Sequence, residues 1–157
     1  MKIKILVPGV LALLLCGCLS PNVEVTVAPE VEKHFGICPS LEVDIAAAGG
    51  DEARRAGNAD VDFYFEPDSP MRTSLRPETL TFSQYTLRTR TLSGSADCWD
   101  RWAEKSPDEL ILYVNLPIRG DLKADGRRIS VKYDKSFLFR KTLHFRITPS
   151  GLIRSEK

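Results

Sequence analysis

Few side chains in this 157-residue chain are of the types that carry chemistry. There are two histidines: His34 in a segment read as a loop, and His144 on the polar parity of a strand pattern among basic neighbours. A Ser-His-Asp triad assembles from distant positions, but neither histidine stands in a pattern that marks one. No Gly-rich phosphate loop, G-x-S-x-G elbow, H-E-x-x-H or C-x-x-C occurs. Asp60, Asp62, Glu66 and Asp68 form the densest acidic cluster. Calcium takes several carboxylates and carbonyls converging from a loop. Three of these residues, Asp60, Asp62 and Glu66, instead share one strand parity, which fits a solvated strand face. The expectation is a chain with no catalytic residues, no bound metal and no cofactor, and not an enzyme.

The cysteines are more informative. Lys2 and Lys4 precede an almost wholly apolar run from Ile5 to Leu15, broken only by Pro8 and Gly9. That length suits the core of a secretory signal and is short for a permanent membrane span. The run ends in Leu15-Cys16-Gly17-Cys18. This resembles the bacterial lipobox, with an apolar residue three before the cysteine and a small one directly before it. The resemblance implies cleavage after residue 17 and acylation of Cys18, and two or three acyl chains anchor firmly where one does so marginally. Leu19 follows, not Asp, which under the usual enterobacterial sorting pattern implies the periplasmic face of the outer membrane. The membrane, through the acyl chains on Cys18, is therefore one expected partner.

Cys38 and Cys98 remain in a chain expected in an oxidising compartment, and a disulfide between them is the default reading. It would close a loop of about sixty residues and add about 4 kcal/mol. Residues 18–157, about 140 in all, suffice for one domain and are too few for two ordinary ones. Without Lys2 and Lys4 the chain has 20 basic residues against 21 acidic, with no run of like charge, so nucleic acid is not an expected partner. The organisation is a signal at 1–17, a lipidated linker at 18–21 and one domain at 22–157.

Residues 22–157 read as a succession of strands. Val23, Val25 and Val27 alternate with polar residues, as do Leu41, Val43 and Ile45, and then Val61, Phe63 and Phe65. The polar stretch after Gly49 reads as a loop with at most one helical turn around 52–56. A long strand is expected from Thr79 to Leu92, with a β-bulge near Ser83-Gln84 where the apolar parity changes from Leu80 and Phe82 to Tyr85 and Leu87. One helix carries Cys98, Trp99, Trp102 and Ala103 on one side and ends at Ser106-Pro107. Leu110–Leu116 reads as a central strand covered on both faces. Ile129, Val131 and Tyr133 follow the Asp125-Gly126 turn, and Phe137, Phe139, Leu143, Phe145 and Ile147 share one parity. About seven strands and one short inserted helix predict a mainly β fold, an antiparallel β-sandwich.

Two segments offer contact surfaces. The stretch Pro29–Pro39 holds Val31, His34, Phe35 and Ile37, either tucked under the domain or presented to a protein partner. Glu66–Pro77 holds three prolines with Met71 and Leu75, and an extended backbone there would present an edge. About four residues separate Cys18 from the first strand, a reach of roughly 13 Å, so the domain must sit close to the lipid. The lipobox, short linker, size and sandwich with one helix resemble the outer-membrane lipoprotein of type VI secretion systems. That resemblance implies a transthyretin-like sandwich and a structural or assembly role, anchoring an inner-membrane-spanning partner through a loop between the early strands, here Pro29–Pro39. Trp99 and Trp102 read first as a hydrophobic lid packed on the core; the alternative function, a periplasmic ligand-binding or inhibitor module on the same anchor, would use them as an exposed aromatic patch.

Overall fold

A computed structural model of the chain describes residues 20–118, 124–133 and 142–156. The signal, Cys18 and the aromatic pair Phe137 and Phe139 lie outside the described residues. Alternation of valines with polar residues forms β1 (Asn22–Val27), with Val23, Val25 and Val27 buried. Helix α1 (Pro29–Phe35) follows where a loop was expected. Its signals are local: Pro29 in the first turn, Glu30 and Glu32 beside it, Lys33 and His34 in the last turn, and Gly36 left-handed at φ 79°. Strand β2 (Leu41–Ala48) leads to α2 (Gly50–Gly57), two turns rather than one.

Val61, Phe63 and Phe65 do not form a strand. Asp60 Oδ1 accepts the N–H groups of Asp62 (2.8 Å) and Phe63 (3.2 Å), and this cap starts α3 (Val61–Tyr64). Val61 and Tyr64, three apart, are buried, and Phe63 is turned outward. The proline-rich stretch is also helical. Ser69 caps α4 (Pro70–Leu75) and Pro70 occupies its first turn, with Leu75 buried and Met71 packed beside it.

The long strand expected from 79 to 92 is two strands in different sheets, β3 (Glu78–Phe82) and β4 (Thr89–Leu92). The parity change near Ser83 marks a turn between sheets, not a bulge. Then come α5 (Cys98–Ala103), β5 (Glu109–Val114), β6 (Arg128–Lys132), β7 (Thr142–Thr148) and β8 (Gly151–Ser155). One sheet has the order β4-β1-β7-β8 and the other β3-β2-β5-β6. The expected sandwich is present, with five short helices among the described residues instead of one. The pairing is antiparallel except between β1 and β7, which run parallel with Val23 beside Leu143 and Val27 beside Ile147.

The core lies between the sheets. Alternate residues of β1 and β7 meet Leu41, Val43, Ile45 and Ala47 of β2 and Leu110, Leu112 and Val114 of β5. The second sheet also buries its outer face. There Ala46, Ala48, Ile111 and Tyr113 pack against Ala53 and Ala56 of α2, Val61 and Tyr64 of α3, and Leu75 of α4. That is why β5 is apolar at almost every position.

Candidate functional site

Strand directions give the molecule two ends. At one, the Ser20 carbonyl packs so closely on Gly94 that a Cβ there would stand 2.1 Å from its oxygen, and Asn22 Oδ1 accepts the Gly94 N–H at 2.7 Å. Helix α5 closes this end, with Arg101 paired to Glu78 at 2.9 Å. At the other end β1 gives way to α1, β2 begins and β3 turns into β4.

The four residues expected to meet a partner are all at this second end, and they divide. Val31 is wholly buried and pins α1 to the core, and Phe35 is half-buried against it. His34 is exposed, its ring edge-on to Phe35 at 4.7 Å, and Ile37 is 57% exposed. Tyr85 and Leu87 stand out from the β3–β4 turn at the same end, and the strand reading of 79–92 missed them. Their signal was the broken parity itself. A cleft of about 300 Å³ beside the turn is lined by Ser40, Leu41, Phe82, Thr86 and Asn115 among others. An open groove of about 670 Å³ between α2 and the β5–β6 pair carries charges of both signs, from Arg54, Asp108, Glu109 and Lys132.

The remaining candidates are structural. Trp99 and Trp102 are buried, edge to face at 5.1 Å, with indole N–H groups donating to the Ser93 carbonyl (2.8 Å) and the Arg76 carbonyl (3.4 Å). They close the core and are not an exposed aromatic patch. Of the acidic cluster, Asp60 caps α3 and Asp62 pairs with Arg127 at 2.6 Å.

The disulfide between Cys38 and Cys98 is absent; both are free, buried thiols. Cys38 precedes β2 at the α1 end, near the Leu41–Phe82 pair, and Cys98 opens α5 near Glu78, which faces Ile45. The four residue steps from Leu41 to Ile45 alone span about 13 Å, whereas a disulfide needs Cα atoms within about 7 Å. Burial, with Glu78 nearby, pushes the Cys98 thiol up to about 11.

The most charged interior site fastens α3 and α4 to β2. Asp44, wholly buried, accepts from Arg72 Nε (2.7 Å), Arg72 Nη2 (3.2 Å), Tyr64 Oη (3.0 Å) and Thr79 Oγ1 (2.6 Å). Arg72 also reaches Glu42 at 2.8 Å. The Tyr64 ring stacks on Tyr113 at 3.8 Å, and burial first, then the Asp44 charge, raises the Tyr64 phenol far above its usual range. With both carboxylate oxygens of Asp44 occupied and the side chain wholly buried, this network fastens α3 and α4 to β2.

The fold and the divided end define a class: a β-sandwich with one helix-covered sheet and exposed apolar side chains on the loops at one end. No protein-family model matches the chain, and no curated protein matches it. Solved structures do. Serratia marcescens Lip, a membrane-bound component of the type VI secretion system, aligns with TM-score 0.57 and 12% identity over 87% of this chain and 96% of its own. A chain in the structure of the T6SS protein TssM C-terminal domain (869–1107) from EAEC aligns with TM-score 0.59 and 10% identity, over 87% of this chain and 100% of that one. The T6SS lipoprotein TssJ1 from Pseudomonas aeruginosa gives 0.48 and 15%, over 87% and 95%. The likeness is one of fold, and it is the fold that the layout of the sequence resembled. Among the described residues no helix is long and apolar enough to cross a membrane.

Proposed function

We propose that the protein is a structural component of an envelope assembly of the type VI secretion kind, held by acyl chains on Cys18 at the periplasmic face of the outer membrane. The observation that carries this is the sandwich shared with Lip over 87% of the chain. The lipobox Leu15–Cys18 supports the anchor, and Leu19 after the cysteine supports the outer membrane. The chain enters at the Gly94 end, so an anchor at Cys18 holds that end against the lipid. The end with His34, Phe35 and Ile37 then points away into the periplasm, about 20 Å further along the six-residue β1. Its partner in this reading is an inner-membrane protein with a large periplasmic domain, met by the α1–β2 connection. The role is assembly and not catalysis.

The test is a mild-detergent pull-down of the full-length lipoprotein from native membranes, with copurifying proteins identified by mass spectrometry. Recovery of an inner-membrane protein with a large periplasmic domain is expected, reduced by Ile37→Asp. Recovery of nothing specific would sink the assembly reading.

A further inference from the structure

Tyr85 and Leu87 are the most exposed large apolar side chains among the described residues, at 88% and 79%. One exposed leucine needs no explanation. Here two apolar side chains stand on one short turn, and that turn is built. The Ser83 N–H donates to Thr86 Oγ1 at 2.8 Å, the Thr86 N–H to the Ser83 carbonyl at 3.2 Å, and the Tyr85 N–H to Ser83 Oγ at 3.3 Å. Downstream, the Val27 N–H donates to the Arg88 carbonyl at 2.8 Å, and the Arg88 side chain pairs with Glu32 on α1. Side chains projecting from a backbone already fixed lose little ordering entropy when a partner buries them.

The position of the turn limits what covers it. Ser20 lies at the opposite end, beside Gly94; with the chain cut and acylated at Cys18, the single residue between anchor and Ser20 is too short to bring the lipid surface to Tyr85. The charges nearby limit it further. The carboxylates of α1 are already paired, Glu30 with Arg146 at 3.0 Å and Glu32 with Arg88, while Glu42 of β2 shares Arg72 with Asp44. The cations are not: among the described residues Lys33 has no ion pair, and Arg90 donates to the Thr81 carbonyl at 2.8 Å and not to a carboxylate. The end is therefore apolar at its tip and has uncompensated positive charge beside it. We propose that the Tyr85–Leu87 turn seats in an apolar cleft of a periplasmic protein whose rim carries carboxylates, forming one interface with the α1–β2 connection. This rests on the envelope-assembly reading and names a second surface for it.

The experiment compares full-length wild type with Y85S/L87S and K33E/R90E in native membranes, quantifying the inner-membrane protein that copurifies with wild type. Y85S/L87S is expected to lower its recovery about tenfold or more. K33E/R90E is expected to lower it further as salt is reduced, because opposite charges then become like charges. A photo-crosslinking p-benzoylphenylalanine at position 85 is expected to capture the same protein, a readout independent of whether the double variants fold. Undiminished recovery with Y85S/L87S, or capture of lipid or of a second copy of this chain from position 85, overturns the role of the turn and leaves the assembly reading standing. Recovery of no inner-membrane protein by wild type overturns both.

Discussion

Asp44 and Arg72 make one ion pair, yet the two ends of it are not equivalent. Asp44 is wholly buried, whereas the Arg72 side chain keeps 29% of its exposure and has Glu42 as a second partner. Arg72→Met leaves an anion in the interior with only the Tyr64 and Thr79 hydroxyls, and should cost about 4 kcal/mol of stability. Asp44→Ala leaves Arg72 its second carboxylate and some water, and should cost less, about 3 kcal/mol. Urea unfolding of both variants checks the order, and a larger loss for Asp44→Ala would contradict it. The second buried cation sets a pH dependence. Burial alone would raise the Asp125 carboxyl, but hydrogen bonds from the Arg127 side chain and main chain outweigh it and hold the group below its ordinary value. The Arg127 hydrogen bond likewise lowers Asp62. A carboxyl depressed in the folded state contributes stability above its unfolded value, about 3.9, and loses it as pH falls through the folded one. The urea midpoint should therefore drop between pH 5 and pH 2.5. In Arg127→Met that drop should shrink, since an unpaired buried Asp125 gains from protonation. An equal drop in wild type and variant would contradict the pairing.

At the scale of elements, what could be read from the sequence was whatever the local signal shared with the tertiary result. Val23 to Val27, Leu41 to Ile45 and Leu110 to Val114 alternate or run apolar because they are strands in the core, and α5 showed its tryptophans on one side. Val61, Phe63 and Phe65 misled because period two also fits a one-turn helix with an outward Phe63, and only the Asp60 cap separates the two. Proline before α1 and α4 read as extended chain, although proline in a first turn starts a helix equally well. His34 and Ile37, in the segment read as tucked or offered to a partner, are exposed, but Tyr85 and Leu87 were assigned to an inward face because the chain's change of sheet leaves no period to read. The helical layer on the outer face left one sequence trace, the run Ala46-Ala47-Ala48 at the end of β2. Ala46 and Ala48 face Ala53 and Ala56 of α2, and small residues on both sides let helix and sheet approach closely. Ala48→Leu should force α2 outward and cost about 1–3 kcal/mol, whereas Ala103→Leu, at an exposed position on α5, should be nearly neutral. Thermal melting of the pair checks this, and equal melting points would mean that α2 is not packed as described.

For the whole molecule, the decisive property is that it has two unlike ends on one axis. The described chain begins beside Gly94, where α5 and its tryptophans close the core, and three of the five exposed large apolar side chains among the described residues, at 37, 85 and 87, stand at the far end of β1. β1 and β7, parallel neighbours, both run from the entry end to the far end. The two cysteines obey the same polarity, Cys38 at the far end and Cys98 at the entry end. Stability must then come from core packing and the Asp44 and Arg127 networks, without a cross-link between the ends. In a soluble chain of residues 20–157, prepared without reductant, a thiol reagent should find almost no fast-reacting thiol in the folded state. Both cysteines are buried, and Cys98, pushed up to about 11, has little thiolate at neutral pH. In denaturant the same sample should release two thiols per chain, with mobility on a denaturing gel unchanged by reductant. A count of zero in denaturant would show the ends joined, which requires a chain path between Pro39 and Asp97 different from the one described.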